Sequence, residues 1–436
     1  MKEKIYEILN SIDVGNGDEI IEKLEMRAGN IPDRTLTRMK TAVDFFNISP
    51  KKIVNIVGTN GKGTVSNAIF ETLKSFGLKV GLYTSPHLVN YTERIVDNDG
   101  EIDYSVFLKL VKYVSDNEET INCGAFTYFE VITLAAMIYF EMKGEDILVV
   151  EAGVGGRTDA TKALESSILQ VVTSISIDHS DYLGDTIYKI AQNKSGIMNG
   201  TKTITLNTGD ALKALSEEKE KTNTTLYTSS DFEFTVGGKI VEKEMIPVSG
   251  EFDVKFLARE IKINPKQFGV FRGENYALAF AAIVTILKEL EIEYDNDKIV
   301  EALNTASWIG RTEVIGREPL TILDGAHNID AIEKLFKSVS QINSKKLITV
   351  FAIMSRKDHE HIAPVVRKNS DILIVTTNND SKALDPETLK NETSADYSFY
   401  SLKDALEKSK ELADKGDTIL IFGSLYLVGE ILKLIK

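Results

Sequence analysis

The sequence predicts an α/β protein with a mostly parallel sheet, and three observations carry this prediction. Short apolar runs without polar alternation recur along the chain, which is typical of parallel strands buried on both faces. Amphipathic stretches such as "TVSNAIFETLKSF" and "LKDALEKSKELADK" lie between these runs, in the βαβ pattern of a doubly wound fold. The length of 436 residues exceeds one ordinary domain, so two domains are expected.

The predicted elements follow one another in a consistent order. Strands are predicted at "IVNIV", "KVGLYT", "DILVVE", "LQVVTSISI", "LTILDG", "LITVFAI", "DILIVTT" and "TILIFG". Residues 225–263 alternate in polarity and are rich in β-branched residues, which favours a small antiparallel excursion inside the first domain. Helices are expected over 274–290 and 297–305, and "SWIGRTEVIGREP" is interpreted as a linker because it has no clear periodicity. A second α/β unit is expected to start at "LTILDGAHN".

The amino-acid composition indicates which kinds of partner the protein can bind and in which cellular compartment it is expected. With 51 basic and 65 acidic residues the net charge is -14, which argues against a nucleic-acid partner but leaves room for a small anionic ligand. The single cysteine, Cys123, excludes an internal disulfide and suggests a reducing compartment. The N-terminus lacks the apolar core of a signal peptide. The longest apolar run, "VITLAAMIYF", is about half of the ~20 residues of a membrane span. We therefore expect a soluble cytoplasmic protein without a membrane partner.

A glycine-rich stretch directly follows the first predicted strand and precedes a predicted helix. It is Gly58, Thr59, Asn60, Gly61, Lys62, Gly63 and Thr64. Such a turn collects backbone N–H groups at a helix N-terminus and so forms an anion site. A lysine there would contact the β- and γ-phosphates of a nucleotide. The spacing differs from the common phosphate loop, since Ile56 occupies the place of the leading glycine. A glycine-rich turn without a ligand is the alternative.

Two further strand ends carry chemistry-bearing side chains. "DILVVEAGVGG" places Glu151 at the end of a buried run, and "VVTSISIDHSDYLG" does the same with Asp178 and His179. Carboxylates suit magnesium beside phosphates, and ligands of open parallel sheets collect at the carboxyl ends of the strands. The alternatives are helix caps or surface residues for the acids, and a structural role for the histidine.

Taken together, the motifs resemble one family. "GTNGKGT", "SPHL" with "ERI", "TYFEVIT", "EAGVGGRTDAT", "IDHSDYLGDTIYKIAQNKSGI", "LDGAHN" and "FGSLYLVGE" occur in this order. From about Leu36 to the C-terminus the chain is similar to folylpolyglutamate synthase and dihydrofolate synthase, within the Mur ligase superfamily. The glycine loop alone indicates only a Mur-like ligase, whereas "SPHL…ERI" and "GSLYLVGE" are more specific to the folate branch.

The resemblance implies an ATP-dependent ligase that adds L-glutamate to a folate carboxylate through an acyl phosphate. It implies a P-loop-type ATPase domain over 1–308, which also binds the folate, and a Rossmann-like glutamate-ligase domain over 309–436. Two magnesium ions are implied, with metal ligands at Ser85, Glu151 and His179, and Thr64 is kept as a loop and phosphate contact. Lys194 matches a lysine that becomes carbamylated, although from the sequence alone it is an ordinary helix-surface lysine.

The same resemblance assigns the remaining site residues. Pterin contacts match Thr127, Thr158, Asp159 and Ala160, although a helix cap for Thr127 and a turn for Asp159 are open alternatives. Further ATP contacts match Asn275, Arg311 and Asp324. His327 and Ser424 match positions linked to glutamate binding or turnover, and His327 could equally cap the following helix. With Lys62 and Lys194 these two residues form the predicted catalytic set. The family also suggests a monomer.

The chain departs from the family pattern at four positions. Lys162 replaces a usual Asn after "DAT", Asn193 a usual Glu, Ile309 a usual Pro, and Arg272 a usual Gln near the adenine site. The first lies beside the predicted pterin contacts, so the folate form stays open.

Two other hypotheses compete with the folate ligase. One is a Mur-type ligase with a cell-wall or other carboxylate acceptor, and the other is a nucleotide-binding switch without ligase chemistry. Open questions are whether dihydropteroate is a substrate, which one-carbon folate is preferred, the polyglutamate length and the oligomeric state.

Overall fold

The structure is a computed structural model that describes residues 2–30, 33–243, 246–378 and 380–435. The chain divides into two compact units. Unit 1 contains residues 1–175, 179–231 and 278–298, and unit 2 contains 176–178, 232–277 and 299–436. The predicted domain boundary between residues 308 and 309 stays a prediction.

Unit 1 is built on an eight-stranded sheet. Its strands are β1 Ile53–Val57, β2 Val80–Tyr83, β3 Ile95–Asp97, β4 Gly100–Glu101, β5 Ile147–Glu151, β6 Ser167–Val172, β7 Lys202–Thr205 and β8 Thr225–Tyr227. The order is β4-β3-β2-β5-β1-β6-β7-β8, and only the pairs that involve β3 are antiparallel. Every residue of β1 and β5 is buried, which explains why these strands have no polar alternation.

Helices cover both faces of this sheet, as expected for a doubly wound unit. They are α1 Lys2–Ser11, α2 Gly17–Met26, α3 Thr37–Phe45, α4 Lys62–Ser75, α5 Tyr104–Asp116, α6 Glu118–Ile121, α7 Tyr128–Lys143, α8 Ser180–Leu183, α9 Ile187–Ser195 and α10 Gly209–Thr222. The run "VITLAAMIYF" lies within α7, which is buried in the main core of the unit. In the described part of the chain, no helix combines the length and apolarity needed to cross a bilayer.

The predicted antiparallel excursion forms part of unit 2 rather than of the unit with the phosphate loop, and its first residues, Thr225–Tyr227, instead form the parallel strand β8 of unit 1. Strands β9 Phe232–Lys243, β10 Ile246–Phe256 and β11 Arg259–Ile263 pair antiparallel in the order β11-β10-β9. Glu244 and Met245, which fall in the predicted stretch, lie outside the described residues. The helices α11 Arg272–Glu289 and α12 Asn296–Thr305 follow within two residues of their predicted bounds, and residues 278–298 are grouped with unit 1.

A six-stranded sheet completes unit 2. Its strands are β12 Glu313–Arg317, β13 Leu320–Leu323, β14 Leu347–Phe351, β15 Ile372–Val375, β16 Tyr397–Ser398 and β17 Thr418–Phe422, in the order β12-β13-β17-β14-β15-β16. The helices are α13 Ile329–Val339, α14 His359–Lys368, α15 Pro386–Thr393, α16 Leu402–Leu412 and α17 Leu425–Ile435. All strand pairs are parallel except β12 with β13.

The interpretation of residues 307–319 as a linker was wrong at its centre. Residues 313–317 form β12, which pairs with β13 from Glu313 opposite Leu323 to Arg317 opposite Leu320. The strand escaped sequence reasoning because it is a half-buried edge strand and its register shifts between Val314 and Gly316. Both features break the alternation that identifies a strand.

Candidate functional site

The predicted phosphate loop joins β1 to α4 and depends on two glycines. Gly61 takes φ +90°, and a Cβ at Gly58 would lie 1.9 Å from the Thr173 hydroxyl oxygen. The amide of Thr59 donates to the Ser174 carbonyl at 2.8 Å, which ties the loop to the segment after β6. The loop thus has the strand, turn and helix context that an anion site needs.

Lys62 and Glu151 meet at the carboxyl ends of neighbouring strands. Glu151 is the last residue of β5 and pairs in register with Ile56 of β1, and its exposed fraction is 3 %. The Lys62 ammonium lies 3.7 Å from the Glu151 carboxylate and donates to the Thr59 carbonyl at 3.3 Å. Because unpaired buried charges are costly, each of these charges makes burial of the other tolerable. The pair places a cation and an acid beside the loop.

Lys194 is not the surface lysine that its sequence context suggested. It lies on α9 with an exposed fraction of 4 %, and its ammonium donates to the Gly58 carbonyl at 2.7 Å. The preceding residue, Asn193, accepts a hydrogen bond from the Gly156 amide, so α9 also holds the "GVGG" segment after β5. The fold therefore brings Lys194 to the phosphate loop from 136 residues away.

The predicted metal set consists of one carboxylate, one imidazole and one hydroxyl. Ser85 is half-buried just after β2, and His179 is half-buried at the start of α8 with φ +53°. Within the described ranges, no group of three or more His, Cys, Asp and Glu side chains is arranged to hold a metal. Glu151 is the member of this set that lies beside the phosphate loop, through its contact with Lys62. A carboxylate at that place fits a hard divalent cation, which keeps water and phosphate oxygens among its ligands.

Thr127 caps α7 in the structure. Its hydroxyl accepts from the Glu130 amide, and the Glu130 carboxylate accepts from the Thr127 amide at 2.7 Å. Arg38 pairs with Glu130 at 2.7 Å and ties α3 to this cap. The structure thus shows the capping role that the sequence left open, and a folate contact by Thr127 stays a prediction.

Asp159 is buried and locally hydrogen-bonded. One carboxylate oxygen accepts from the amide and hydroxyl of Thr161, and the other accepts from the Val154 amide. Burial is the largest influence and raises the pKa of Asp159, against the lowering effect of these bonds. The neighbouring Ala160 is buried and Thr158 is half-buried. Asp159 therefore forms the predicted turn, and its pterin contact stays a prediction.

In unit 2 the "DGAHN" loop follows β13. Asp324 is buried and accepts from the amides of Thr312 and Ala326 at 2.7 and 2.8 Å. A Cβ at Gly325 would lie 2.8 Å from an Arg311 guanidinium nitrogen. The structure therefore brings two of the predicted ATP contacts, Arg311 and Asp324, to one loop cluster.

Arg272, one of the four positions at which the chain departs from the family pattern, stabilises the same loop cluster. Its guanidinium is fully buried and donates to the carbonyls of Phe268 and Arg311 and to the Thr312 hydroxyl. Burial lowers the pKa of Arg272. Asn275, the third predicted ATP contact, lies on the first turn of the same helix, α11, and is buried.

A charged network in unit 2 was missed by sequence reasoning. Asp178 was predicted only as a strand-end acid, but its carboxylate accepts from the Lys357 ammonium at 2.6 Å. The His327 ring lies 3.6 Å from the same carboxylate, and Asn328 donates to it at 3.3 Å. Burial, followed by the nearby Lys357 charge, lowers the pKa of His327. No sequence signal connects residues 178 and 357.

The same network decides which residue caps α13. The Asn328 side chain accepts from the Ala331 amide, so Asn328 is the cap. His327 instead donates from Nδ1 to the Gly325 carbonyl at 2.8 Å, so its expected alternative role as a helix cap was wrong. Ser424 is buried after β17, and its hydroxyl accepts from the Tyr426 amide at 3.1 Å.

The chain matches known ligase domains and proteins over most of its length. Residues 56–283 match the Mur ligase middle domain, and residues 310–425 match the Mur ligase glutamate ligase domain. A dihydrofolate synthase/folylpolyglutamate synthase of Buchnera aphidicola is 30% identical over 390 residues, which cover 88% of this chain and 86% of that protein. The folylpolyglutamate synthase of Mycobacterium tuberculosis, solved with ADP, superposes with a TM-score of 0.86 at 25% identity, covering 96% of this chain and 98% of that one.

A longer relative shares the same region. A probable bifunctional folylpolyglutamate synthase/dihydropteroate synthase of Haloferax volcanii is 31% identical over 396 residues. The match covers 86% of this chain but 45% of that protein. The chain thus spans less than half the length of this relative.

Proposed function

Because this chain belongs to the folylpolyglutamate synthase/dihydrofolate synthase family of Mur ligases, we propose that it is an ATP-dependent folate ligase. It joins the amino group of L-glutamate to the γ-carboxylate of a reduced folate, or to the carboxylate of dihydropteroate. The observation that carries this proposal is the meeting of Lys62, Glu151 and Lys194 at one glycine loop. The departures at Asn193, Ile309 and Arg272 leave that meeting intact.

The proposed reaction has two steps. A folate carboxylate oxygen attacks the γ-phosphorus of ATP, the bond to the β,γ-bridging oxygen breaks, and ADP leaves. The glutamate ammonium first loses one proton, and the free amine attacks the resulting acyl carbon. The C–O bond to phosphate then breaks, and a second nitrogen proton leaves with the inorganic phosphate. Both steps bring anions together, so charge neutralisation and alignment are the main demands on the protein.

The phosphate loop meets the first demand. In our proposal Gly58, Thr59, Asn60, Gly61, Gly63 and Thr64 surround the phosphates with backbone N–H groups and a hydroxyl. Lys62 places its ammonium against the β- and γ-phosphate oxygens. Its ammonium is 3.7 Å from Glu151, longer than a hydrogen bond, so its hydrogen-bonding capacity toward phosphate is not consumed by that carboxylate.

Ser85, Glu151 and His179 would hold a divalent cation, which we take to be magnesium. When bound, the cation supplies charge neutralisation for the phosphate oxygens. We propose two such ions and a carbamylated Lys194. In that modification the neutral lysine amine attacks carbon dioxide, a C–N bond forms and a proton leaves, which converts a cation into a carboxylate-like anion. Burial of Lys194 supports this proposal, because desolvation disfavours the charged ammonium.

The remaining assignments divide by substrate. Asn275, Arg311 and Asp324 would contact ATP, and His327 and Ser424 would contact glutamate or assist its addition. Thr127, Thr158, Asp159 and Ala160 would contact the pterin. We also propose a domain boundary between residues 308 and 309, a monomeric state and a cytoplasmic location.

A side-by-side assay tests the function. The protein is incubated with ATP, magnesium and glutamate, together with dihydropteroate, a reduced folate or a UDP-muramyl peptide, and phosphate release and glutamylated product are measured. We expect turnover with a folate substrate and none with the muramyl peptide. Turnover with the peptide alone, or phosphate release that ignores glutamate, would contradict the proposal.

The metal assignment has its own test. Glu151→Ala should increase the magnesium concentration needed for half-maximal activity by at least tenfold, because it removes the only carboxylate of the set. Asp185→Ala, an exposed acid elsewhere in unit 1, is the control. An unchanged magnesium requirement in Glu151→Ala would assign the metal to other residues.

A further inference from the structure

Unit 1 contains a cavity that the proposed ligase reaction does not use. Its volume is about 250 Å³, several times the share of one water molecule. The polar residues that line it are Lys40, Asn55, Lys162, Glu165, Ser167 and Asn199. None of them belongs to the proposed nucleotide, metal, glutamate or folate sets.

A polar row crosses the sheet at this cavity. Asn55 of β1 pairs in register with Gln170 of β6, which pairs with Thr203 of β7. The Gln170 amide is satisfied, since its nitrogen donates to Ser167 and Asn199 and its oxygen accepts from Thr203. Asn55 differs from its neighbour, because its amide nitrogen has no hydrogen-bond partner among the described residues although the side chain is only 2 % exposed.

An unpaired buried amide is an unusual feature that calls for a partner. Such a donor gives up its hydrogen bond to water on folding and gains none in return. Asn55 is the middle residue of the central strand β1, so neither fraying nor a loop movement can expose it. A guest in the cavity that accepts a hydrogen bond would recover this cost.

The charge in the cavity comes from Lys162. Its ammonium donates to the Ile197 and Met198 carbonyls at 3.0 and 2.9 Å, and both acceptors are neutral. Lys40 and Glu165, which also line the cavity, pair with each other at 3.3 Å. The lining residues therefore sum to one positive charge, on a group with a third N–H to donate. Burial lowers the pKa of Lys162, as expected for a cation that lacks a close counter-ion.

We propose that this Asn55–Lys162 cavity is a binding site for a small oxyanion, a carboxylate or inorganic phosphate. The anion would accept from the Lys162 ammonium and the Asn55 amide. An anion is favoured over a neutral guest because it compensates the charge as well as the unpaired donor.

Equilibrium dialysis with radiolabelled inorganic phosphate tests the site. The measurement uses the full chain carrying Lys62→Ala, which weakens phosphate binding at the glycine loop. We expect saturable binding of one phosphate per chain, weakened at least tenfold when Lys162→Met is added. The matched control adds Lys189→Met, which removes an exposed lysine of the same unit and should leave binding unchanged. Equal binding in the two double variants, or no saturable binding, would overturn the proposal.

Two further experiments test whether the site binds carboxylates as well as phosphate, and whether the loss of binding in Lys162→Met results from misfolding. Acetate at constant ionic strength should displace phosphate if carboxylates share the site, and failure to displace it would assign the site to phosphate. Lys162→Arg keeps the charge and should bind phosphate within a few-fold of the parent. In a crystal structure grown with phosphate we expect an anion between Asn55 and Lys162. A lone water bonded to the Asn55 amide would show that the cavity is only a hydration site.

Discussion

The glycine loop of unit 1 and the Asp178 network of unit 2 handle charge in opposite ways. In unit 1 the ammonium groups of Lys62 and Lys194 donate to backbone carbonyls of the loop. In unit 2 the ammonium of Lys357 donates to the Asp178 carboxylate at 2.6 Å. The Lys62 ammonium lies 3.7 Å from its neighbouring carboxylate and can still donate to an anionic substrate, whereas the Lys357 ammonium is already engaged in a short ion pair. The loop is thus built to receive anions, and the network to hold its own residues in place.

The largest effect should come from removing the loop cation. Lys62→Ala should lower kcat/KM for glutamate-dependent phosphate release by roughly 10³-fold, as for loss of a major electrostatic contact to the transition state. The melting temperature should fall by less than for Lys357→Met, because the buried Glu151 carboxylate loses a cation that is 3.7 Å away, whereas Asp178 loses one at 2.6 Å. Lys189→Ala should leave both quantities unchanged. Full activity with normal ATP affinity in Lys62→Ala would contradict the proposal that the glycine loop, unlike the Asp178 network, binds an anionic substrate.

Substitutions in the Asp178 network should lower the stability of the protein. Lys357→Met leaves a largely buried Asp178 carboxylate without its cation and should lower the free energy of unfolding by about 3 kcal/mol. Asp178→Asn together with Lys357→Met should cost less than the sum of the two single changes, with a coupling of about 1–3 kcal/mol. Denaturant unfolding of all four proteins measures this cycle. Additive changes would mean that the pair contributes nothing as a pair.

A smaller effect, on the pH dependence of stability, is expected for Glu145, which precedes β5, in contrast to Glu151 at the end of β5. Glu151 ends the strand and faces Lys62, whereas Glu145 precedes the strand, and its Oε2 is buried without a hydrogen-bond partner among the described residues. Burial, and then the Asp97 charge, raise the pKa of Glu145 from 4.5 to about 7. Between these values the folded state binds more protons than the unfolded state, so stability decreases as pH rises through this window.

Glu145→Gln should therefore be nearly neutral at about pH 5 and stabilising at about pH 8. Because Glu145 is half-exposed, solvent screening limits the gain to roughly 1 kcal/mol. Thermal unfolding at the two pH values provides the measurement. Glu141→Gln, which changes a half-buried acid on the preceding helix, is the matched control. The same change in melting temperature at both pH values would show that Glu145 does not titrate differently on folding.

Local patterns in the sequence predicted much of this fold. The β1–loop–α4 segment could be predicted because strand, turn and helix signals lie within 23 consecutive residues, from 53 to 75. The apolar strands of both parallel sheets were predicted for a similar reason, since burial on both faces shows in each strand's own composition. The edge strand β12 and the short strands β4 and β16 were missed because they bury too little to leave such a pattern. Strands β3 and β7 are mostly buried but were also missed, β3 because it has only three residues and β7 because three of its four residues are polar.

What the sequence by itself determined is the alternation of apolar strands and amphipathic helices and the glycine loop, all of which depend on neighbours along the chain. The tertiary structure alone decided that Lys194 is buried against Gly58, that Asp178 pairs with Lys357, and that Asn55 and Lys162 line one cavity. The physical reason is that burial and charge pairing depend on residues more than a hundred positions apart. Only the packing of sheet and helices brings such residues within hydrogen-bonding distance.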